Sequence, residues 1–254
     1  MLAAAACALS LIGGAMALDN GRGIVPPRGW RSWDAFENSV NQTLQMEQVD
    51  RLVDRSRTVD GEYTSLLDLG YNRIGLDDAW QDCGKGVNHS FHDPTGKPLI
   101  RPDRFPDMAA MNAYAKSKGI GSGWYLNTCD CCEKGALQPM WSAAGDAEAV
   151  KELGFDGLKL DSCGPSQRLD EWARLINATG NHVLIENCFD NASYPRTKSG
   201  VDDGTEAVAE EDCPMNMYRT GGDMRADWPL MLRRLQTIVP WLGLSRPGCW
   251  AYLE

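Results

Sequence analysis

The length, composition and charge of this chain exclude several classes of protein. It has 254 residues, of which 43% are hydrophobic and 24% are charged, and these are the proportions of a folded globular protein rather than a disordered one. The formal net charge of -10 at pH 7 argues against a nucleic-acid backbone or an anionic membrane surface as the main partner. Such a length suits a single α/β barrel domain.

The first 17 residues have the pattern of a secretory signal peptide. Residues 2–17 are small and apolar and end in Ala15-Met16-Ala17, an A-x-A cleavage pattern. A buried first helix is the alternative, because the positively charged start of a typical signal is missing. No later stretch reaches the roughly 18 apolar residues that a membrane span needs. We therefore expect a signal over 1–17, a catalytic domain over 18–254, and a secreted, lysosomal or vacuolar location.

Cysteine usage favours the same secretory route. Eight cysteines follow the predicted signal, and an even number in a secreted chain indicates disulfides: Cys83, Cys129, Cys131, Cys132, Cys163, Cys188, Cys213 and Cys249. A metal site at the three clustered cysteines is the alternative, but zinc sites usually have two spaced pairs or nearby histidines. We therefore expect no metal. Four N-glycosylation sequons, which begin at Asn41, Asn88, Asn177 and Asn191, agree with secretion.

Short apolar runs alternate with amphipathic stretches along the rest of the chain. Eight runs predict strands: Trp30–Trp33, Arg73–Asp78, Gly121–Asn127, Gly157–Asp161, His182–Glu186, Tyr218–Thr220, Ile238–Leu242 and Cys249–Tyr252. Helical spacing between them predicts helices over Met46–Val53, Met108–Lys118, Ala144–Leu153, Gln167–Asn177 and Arg225–Gln236. This alternation indicates a parallel sheet, and eight strands favour a (β/α)8 barrel, the TIM barrel, over an open sheet.

Polar residues recur where the predicted strands end. The positions are Asp77, Asp78, Asn127, Asp161, Glu186 and Asp223. Because the carboxyl ends of barrel strands meet at one rim, which carries the active site, we expect these side chains to share a site. The alternative is that each Asp begins a turn or caps a helix. The long polar segment Gln81–Pro106 is predicted to be a loop over this rim.

The absence of several sequence motifs reduces the number of reactions that this protein could catalyse. The sequence has no G-x-G-x-x-G dinucleotide fingerprint, no P-loop and no G-x-S-x-G nucleophile turn. What remains is a set of carboxylates with Trp, Lys and Arg. This set suits glycoside hydrolysis, in which one carboxylate attacks the anomeric carbon or activates water and another protonates the leaving oxygen. We expect a carbohydrate substrate and no cofactor.

Six sequence pieces, in order along the chain, resemble glycoside hydrolase family 27, the α-galactosidase or melibiase family. They are Gly29-Trp30-Arg31-Ser32-Trp33, Leu76-Asp77-Asp78-Ala79-Trp80, Arg104-Phe105-Pro106, Gly119-Ile120-Gly121-Ser122-Gly123-Trp124-Tyr125, Gly157-Leu158-Lys159-Leu160-Asp161-Ser162-Cys163 and Arg219-Thr220-Gly221-Gly222-Asp223. The resemblance covers about residues 28 to 252. It implies a (β/α)8 barrel and a retaining double displacement, with catalytic carboxyl groups roughly 5–5.5 Å apart.

The resemblance also implies the roles of single residues. Asp161 matches the nucleophile and Asp223 the acid/base. The substrate-binding positions are Trp30 under the sugar, Asp77 and Asp78 at the 4- and 6-hydroxyls, Lys159 at the 3/4-hydroxyls, Arg219 at the 2/3-hydroxyl side and Tyr125 near the anomeric centre. The implied disulfides join Cys163 to one of Cys129, Cys131 or Cys132, and Cys188 to Cys213.

The chain departs from the family pattern in three places. Cys188-Phe189-Asp190 replaces a Cys-x-Trp piece, which puts the choice between 2-hydroxyl and 2-acetamido sugars in doubt. The predicted eighth strand ends in Trp250-Ala251-Tyr252-Leu253-Glu254 and lacks the family's Pro-Asp-Met. The chain then stops, so we expect truncation at the eighth strand, without a C-terminal β-sandwich. An α-N-acetylgalactosaminidase, a β-L-arabinopyranosidase, or an inactive galactoside-binding protein or fragment are the alternatives to an α-galactosidase.

Overall fold

The fold is built around one parallel sheet. The computed structural model describes residues 18, 20–127, 129–131, 134–137, 142–161, 169–188 and 213–253, with the backbone alone for 129–131 and 134–137. In these ranges seven strands pair in chain order: β1 Gly29–Arg31, β2 Arg73–Gly75, β3 Gly121–Asn127, β4 Gly157–Asp161, β5 Leu184–Cys188, β6 Met217–Arg219 and β7 Trp250–Tyr252. Every pairing between them is parallel, as the alternating sequence pattern predicts.

Helices follow the strands in the predicted order. The described helices are α1 Trp33–Phe36, α2 Gln42–Val53, α3 Met108–Ser117, α4 Ala143–Glu152, α5 Leu169–Ala178 and α6 Trp228–Ile238. Short polar side chains begin three of them by accepting a hydrogen bond from a free backbone N–H: Asn41 in α2, Asp107 in α3 and Asp227 in α6. Two small antiparallel hairpins lie outside the main sheet, Thr58–Val59 with Glu62–Tyr63 and Cys129–Cys131 with Lys134–Leu137.

The predicted strand Ile238–Leu242 is wrong. Ile238 ends α6, and Val239–Trp241 forms a 3-10 helix that continues it. Pro240 has no backbone N–H to give to a sheet but fits the first turn of a helix. The predicted last strand is therefore the seventh of the sheet rather than the eighth, and among the described residues β1 and β7 are its two edges.

The two faces of the sheet have different chemistry. On the outer face, Ile74 of β2 packs with Val49, Leu52 and Ala115 from α2 and α3. On the inner face, Gly75, Gly123 and Gly157 stand side by side in register on β2, β3 and β4. Because alternate residues of a strand point to opposite faces, the same sheet packs helices outside and leaves room for long polar side chains inside.

The disulfide implied between Cys188 and Cys213 is wrong. Cys213 instead bonds to Cys249, with Cα atoms 6.2 Å apart, and Cys188 is a buried free thiol. Cys188 lies at the carboxyl end of β5, whereas Cys213 and Cys249 precede β6 and β7. In a parallel sheet, these two cysteines therefore lie at the amino ends of the strands, away from Cys188. Cys83 is also disulfide-bonded. The side chains of the remaining cysteines lie outside the described part of the structure: Cys129, Cys131, Cys132 and Cys163. The expectations that concern them, no metal site at the three clustered cysteines and a disulfide to Cys163, therefore stay predictions.

The segment predicted as a long loop connects β2 to α3. It packs against α4, where Nε2 of His92 lies 2.8 Å from Oδ1 of Asp146 and both side chains are buried. Trp80, directly before this segment, donates from its indole nitrogen to the backbone oxygen of Tyr125 at 2.8 Å. The connection between β2 and Trp80, which carries Asp77 and Asp78, is thereby tied to β3. No helix in the described part of the chain is long and apolar enough to cross a membrane.

Candidate active site

The register of the central strands brings several predicted site residues together. Lys159 of β4 is paired with Tyr125 of β3 and with Glu186 of β5. Two residues further toward the carboxyl edge, Asp161 is paired in the same way with Asn127 and Cys188. Residues in register on adjacent strands point to the same face, so these side chains form two layers on the inner side of the sheet.

Asp77 is held by two cations inside the protein. It is 1% exposed, and its Oδ2 accepts hydrogen bonds from Nζ of Lys159 at 2.8 Å and from Nη1 of Arg31 at 3.3 Å. Its Oδ1 accepts the backbone N–H of Asp78 at 2.9 Å. Burial would raise the pKa of Asp77, but the charges of Lys159 and Arg31 more than offset burial and lower it. Asp77 is therefore an ionised, oriented acceptor.

Asp78 has the opposite environment. It is 4% exposed, and burial raises the pKa of its carboxyl to about 6, with the charges of Asp77 and Asp161 acting in the same direction. Hydrogen bonds from the Ala79 backbone and the Gln81 side chain work against this rise. Its buried Oδ1 has no hydrogen-bond partner among the described residues. A buried oxygen without a donor is costly, so this atom is suited to receive a donor from a ligand.

Lys159 lies at the centre of these charges. Burial opposes its charge, but Asp77 and, more weakly, Asp161 raise the pKa of Lys159 well above its ordinary value. Its Nζ also lies 5.5 Å from the ring centre of Tyr125, and Nδ2 of Asn127 is 3.2 Å from the Tyr125 hydroxyl. Asp161 is half-buried, and its charge raises the pKa values of both Asp78 and Lys159.

Asp223 accepts hydrogen bonds from one donor nearby in sequence, Arg219, and from one distant donor, Trp33. Its side chain is 47% exposed, and Oδ1 accepts from Nη2 of Arg219 at 2.6 Å. Nε1 of Trp33 donates to Oδ2 at 3.2 Å. Nη1 of Arg219 also lies 2.8 Å from the sulfur of Cys188, the register partner of Asp161. A continuous set of contacts therefore leads from Asp223 to the strand beside Asp161.

Comparisons with known proteins show the family of this chain. Residues 25–245 match the family described as Melibiase_2, Alpha galactosidase A. The chain belongs to this family. It is 26% identical over 245 residues to Alpha-galactosidase 2 of Arabidopsis thaliana, covering 92% of this chain and 54% of that protein. It is 28% identical over 262 residues to Alpha-N-acetylgalactosaminidase of Gallus gallus, covering 92% of this chain and 57% of that protein.

Solved structures agree on the fold. This melibiase-family chain matches alpha-galactosidase I from Mortierella vinacea with a TM-score of 0.68 and 21% identity, over 93% of this chain and 60% of that one. The predicted α/β class and its similarity to the family's barrels are confirmed. The chain spans about half the length of the curated relatives it matches, 54% and 57% for the two above.

The prediction that Trp30 lies under the sugar needs correction. Trp30 is paired in register with Ile74 and packs against the outer, helix-facing cluster, with its ring centre 5.9 Å from that of Phe36. The strand alternation points Arg31, rather than Trp30, toward Asp77. Trp33, three positions later in the same sequence piece, is the aromatic residue that contacts Asp223. The sequence alone does not show which of the two tryptophans, Trp30 or Trp33, faces the site.

The pairing of two further residues near this site was not predicted from the sequence. Arg31, within the first matched piece, forms an ion pair with Glu186 of β5 as well as with Asp77. The Tyr252 hydroxyl on β7 donates to the backbone oxygen of Asn187 at 3.4 Å, and burial followed by the charge of Glu186 raises the pKa of Tyr252 well above its ordinary value. The sequence marks Glu186 as a strand-end carboxylate, but its ion-pair partner Arg31 comes from β1, at an edge of the described sheet.

Proposed function

We propose that this protein hydrolyses terminal α-D-galactosyl residues of oligosaccharides or glycoconjugates with retention of configuration. The observation that carries the proposal is the adjacent buried pair Asp77 and Asp78. One carboxylate is fixed by Lys159 and Arg31, and the other has an oxygen to which no described residue donates. Such acceptors suit the hydroxyl groups of a sugar, and Asp161 is near enough to raise the pKa of Asp78.

The pair also accounts for the choice of galactose. A carboxylate offers about four lone-pair sites, of which Lys159, Arg31 and the Asp78 N–H occupy three on Asp77. One site on Asp77 and the bare oxygen of Asp78 then remain for two hydroxyls. An axial 4-hydroxyl lies on the same side as the 6-hydroxyl, as in galactose, whereas the equatorial 4-hydroxyl of glucose would leave a buried acceptor unpaired. Unpaired buried polar groups discriminate more strongly than a missing methylene does.

The first chemical step forms a covalent intermediate. An oxygen of Asp161 attacks the anomeric carbon and forms a C–O bond as the glycosidic C–O bond breaks. The carboxyl proton of Asp223 passes to the leaving oxygen, so the aglycone departs as an alcohol and Asp223 becomes a carboxylate. The hydrogen bonds from Trp33 and Arg219 stabilise that carboxylate as it forms.

The second step releases the sugar. The Asp223 carboxylate takes a proton from water while the water oxygen attacks the anomeric carbon. The bond to Asp161 breaks, its electron pair returns to the Asp161 carboxylate, and Asp223 regains its proton. Two inversions give the α-anomer of galactose, so the configuration is retained.

The decisive experiment compares two epimers and watches the first product formed. The purified chain is given p-nitrophenyl α-galactoside and p-nitrophenyl α-glucoside, and proton NMR records the anomer that is released before mutarotation. We expect fast release of α-galactose and little action on the glucoside. Equal rates on both epimers, or β-galactose as the first product, would contradict the proposal. Galactose binding without turnover would instead support the inactive galactoside-binding alternative.

A second candidate is an α-N-acetylgalactosaminidase. Its support is the 28% identity to the Gallus gallus protein of that name. Phe189 stands at the x position of the family's Cys-x-Trp piece, which the resemblance places at the 2-substituent, and it lies outside the described residues. Parallel assays with p-nitrophenyl α-N-acetylgalactosaminide and β-L-arabinopyranoside separate these family activities. A higher kcat/KM on either than on the α-galactoside would replace our assignment.

We also propose that the chain follows the secretory pathway. Three of the four sequon asparagines, Asn41, Asn88 and Asn177, are exposed, and the fourth lies outside the described residues. The disulfide between Cys213 and Cys249 fits an oxidising compartment. Expression in a eukaryotic cell should release a protein whose mass falls on treatment with peptide N-glycosidase. An unglycosylated product that keeps residues 1–17 and stays in the cytosol would contradict this proposal.

A further inference from the structure

An unbroken set of polar contacts crosses the inner face of the sheet below the proposed sugar site. Lys159 and Arg31 both donate to Oδ2 of Asp77. The other end of the Arg31 guanidinium, Nη2, pairs with Glu186. Positive and negative groups therefore alternate from β4 through the loop after β2 to β1 and β5.

The space for Arg31 is provided by a glycine. A Cβ atom added to Gly75, the register partner of Arg31, would lie 3.1 Å from Cζ of the guanidinium. That distance is shorter than an ordinary van der Waals contact, so a side chain there would push the guanidinium from its position. The Arg31 side chain is 21% exposed, against 2% for Asp77 and 7% for Glu186. Arg31 thus joins two nearly buried carboxylates, which would repel one another without it.

The lone pairs of Asp77 show what Arg31 contributes beyond neutralising charge. With Lys159 and Arg31 on Oδ2 and the Asp78 N–H on Oδ1, the carboxylate is held at both oxygens. Without Arg31, one lone pair on Oδ2 becomes available, and the carboxylate gains freedom to rotate about its bond to Cβ. The one acceptor site that faces a hydroxyl would then no longer have a fixed direction.

We propose that Arg31, anchored by Glu186, is a positioning residue that fixes the Asp77 carboxylate for acceptance of a sugar hydroxyl. The inference rests on the proposed function, because it assigns the way in which that site holds its substrate. Arg31 touches Asp77 rather than the reacting atoms, so its effect falls mainly on substrate affinity. An interaction present in both the bound and the transition state changes KM more than kcat.

The charged groups around Asp77 determine its pKa. They are Lys159 on β4, Arg31 on β1 and the neighbouring Asp78, with Glu186 acting through Arg31. Arg31 lowers the pKa of Asp77, so its removal moves the loss of the ionised acceptor to higher pH. A residue with a purely structural role would change stability without moving this titration.

The test uses three variants of the site and one matched control. Arg31→Met keeps the length of the side chain without its charge, Arg31→Lys keeps the charge without the fork, and Glu186→Gln keeps the shape of the anchor. Arg55→Met is the control, since it removes an arginine from an exposed ion pair with Asp68 on the outside of the fold. Each variant is checked for folding by circular dichroism before KM, kcat and the pH profile of kcat/KM are measured on p-nitrophenyl α-galactoside.

We expect Arg31→Met to raise KM by roughly 10-fold to 100-fold with a much smaller change in kcat. The acid limb of its pH profile should move to higher pH. Arg31→Lys should recover part of the affinity, Glu186→Gln should change it in the same direction as Arg31→Met but less, and Arg55→Met should match the wild type. A wild-type KM and pH profile in both Arg31→Met and Glu186→Gln would overturn the inference.

A second readout separates this inference from the proposed function. Carboxyl carbon NMR follows the titration of Asp77 in the wild type and in each variant, without any need for turnover. If the wild type hydrolyses no glycoside, the proposed function fails, and an Asp77 titration that moves to higher pH in Arg31→Met still supports positioning. If the wild type is active but the Asp77 titration stays in place in all three variants, the inference fails alone.

Discussion

The indole nitrogen of Trp33 lies 3.2 Å from Oδ2 of Asp223, although 190 positions separate the two residues in sequence. Trp33 begins α1 directly after β1, and Asp223 follows β6. The contact therefore joins one edge of the sheet to the strand next to the other edge. It also places a hydrogen-bond donor on the carboxylate that we propose as the acid/base.

Replacing Trp33 by Phe tests this contact. The ring remains but the N–H is lost, so the carboxylate formed on proton donation is less stabilised. We expect kcat on an alkyl α-galactoside to fall roughly 10-fold and to fall less on p-nitrophenyl α-galactoside, whose leaving group needs little protonation. Trp228→Phe, on the exposed face of α6, is the control. Equal losses on both substrates would argue against a role through Asp223.

Asp78 should make stability depend on pH. Its pKa is raised to about 6 in the folded protein from an ordinary value of 3.8, chiefly by burial. The folded state therefore binds the proton more tightly, and the stability this contributes is complete below the ordinary value and lost as pH rises through 6. The shift corresponds to roughly 3 kcal/mol.

Denaturant unfolding at several pH values between 4 and 7 measures this effect. Asp78→Asn cannot ionise, so its free energy of unfolding should exceed that of the wild type at pH 7 and approach or fall below it at pH 4. Asp60→Asn, in an exposed turn, should follow the wild type throughout. A constant difference between Asp78→Asn and the wild type across this range would show that the carboxyl does not titrate there.

The disulfide between Cys213 and Cys249 should stabilise the edge of the sheet. It closes a loop over a sequence separation of 36 and joins the segment before β6 to the start of β7. Its removal should lower the free energy of unfolding by about 3–4 kcal/mol. Cys213→Ser, Cys249→Ser and the double variant should lose the same amount, because any one change breaks the bond. Additive losses would mean that the two cysteines act independently.

Much of the fold could be predicted because its signals are local. The period of apolar residues predicts all seven of the described sheet strands and five of the helices near their observed positions. Ile238–Leu242 failed because a short apolar run has no period that separates a strand from the end of a helix. Pro240 was the available signal, since a proline in the middle of a strand argues against that strand.

The site was predicted less completely because its contacts come from distant strands. Asp77, Asp78 and Lys159 stand in specific sequence pieces, and the structure brings them together with Tyr125. The choice between Trp30 and Trp33, however, depends on which face of β1 each residue occupies. The pairing of Arg31 with Glu186 depends on packing across the inner face of the sheet, which no local pattern records.

The central claim is that Asp161 attacks the anomeric carbon, and azide rescue of Asp161→Gly tests it most directly. The glycine leaves space for a small anion on the face opposite the leaving group, so azide should restore turnover of p-nitrophenyl α-galactoside. The account predicts negligible turnover without azide and β-galactosyl azide as the product, identified by NMR from the coupling of its anomeric proton. Wild-type turnover by Asp161→Gly without azide, or α-galactosyl azide as the product, would contradict the assignment.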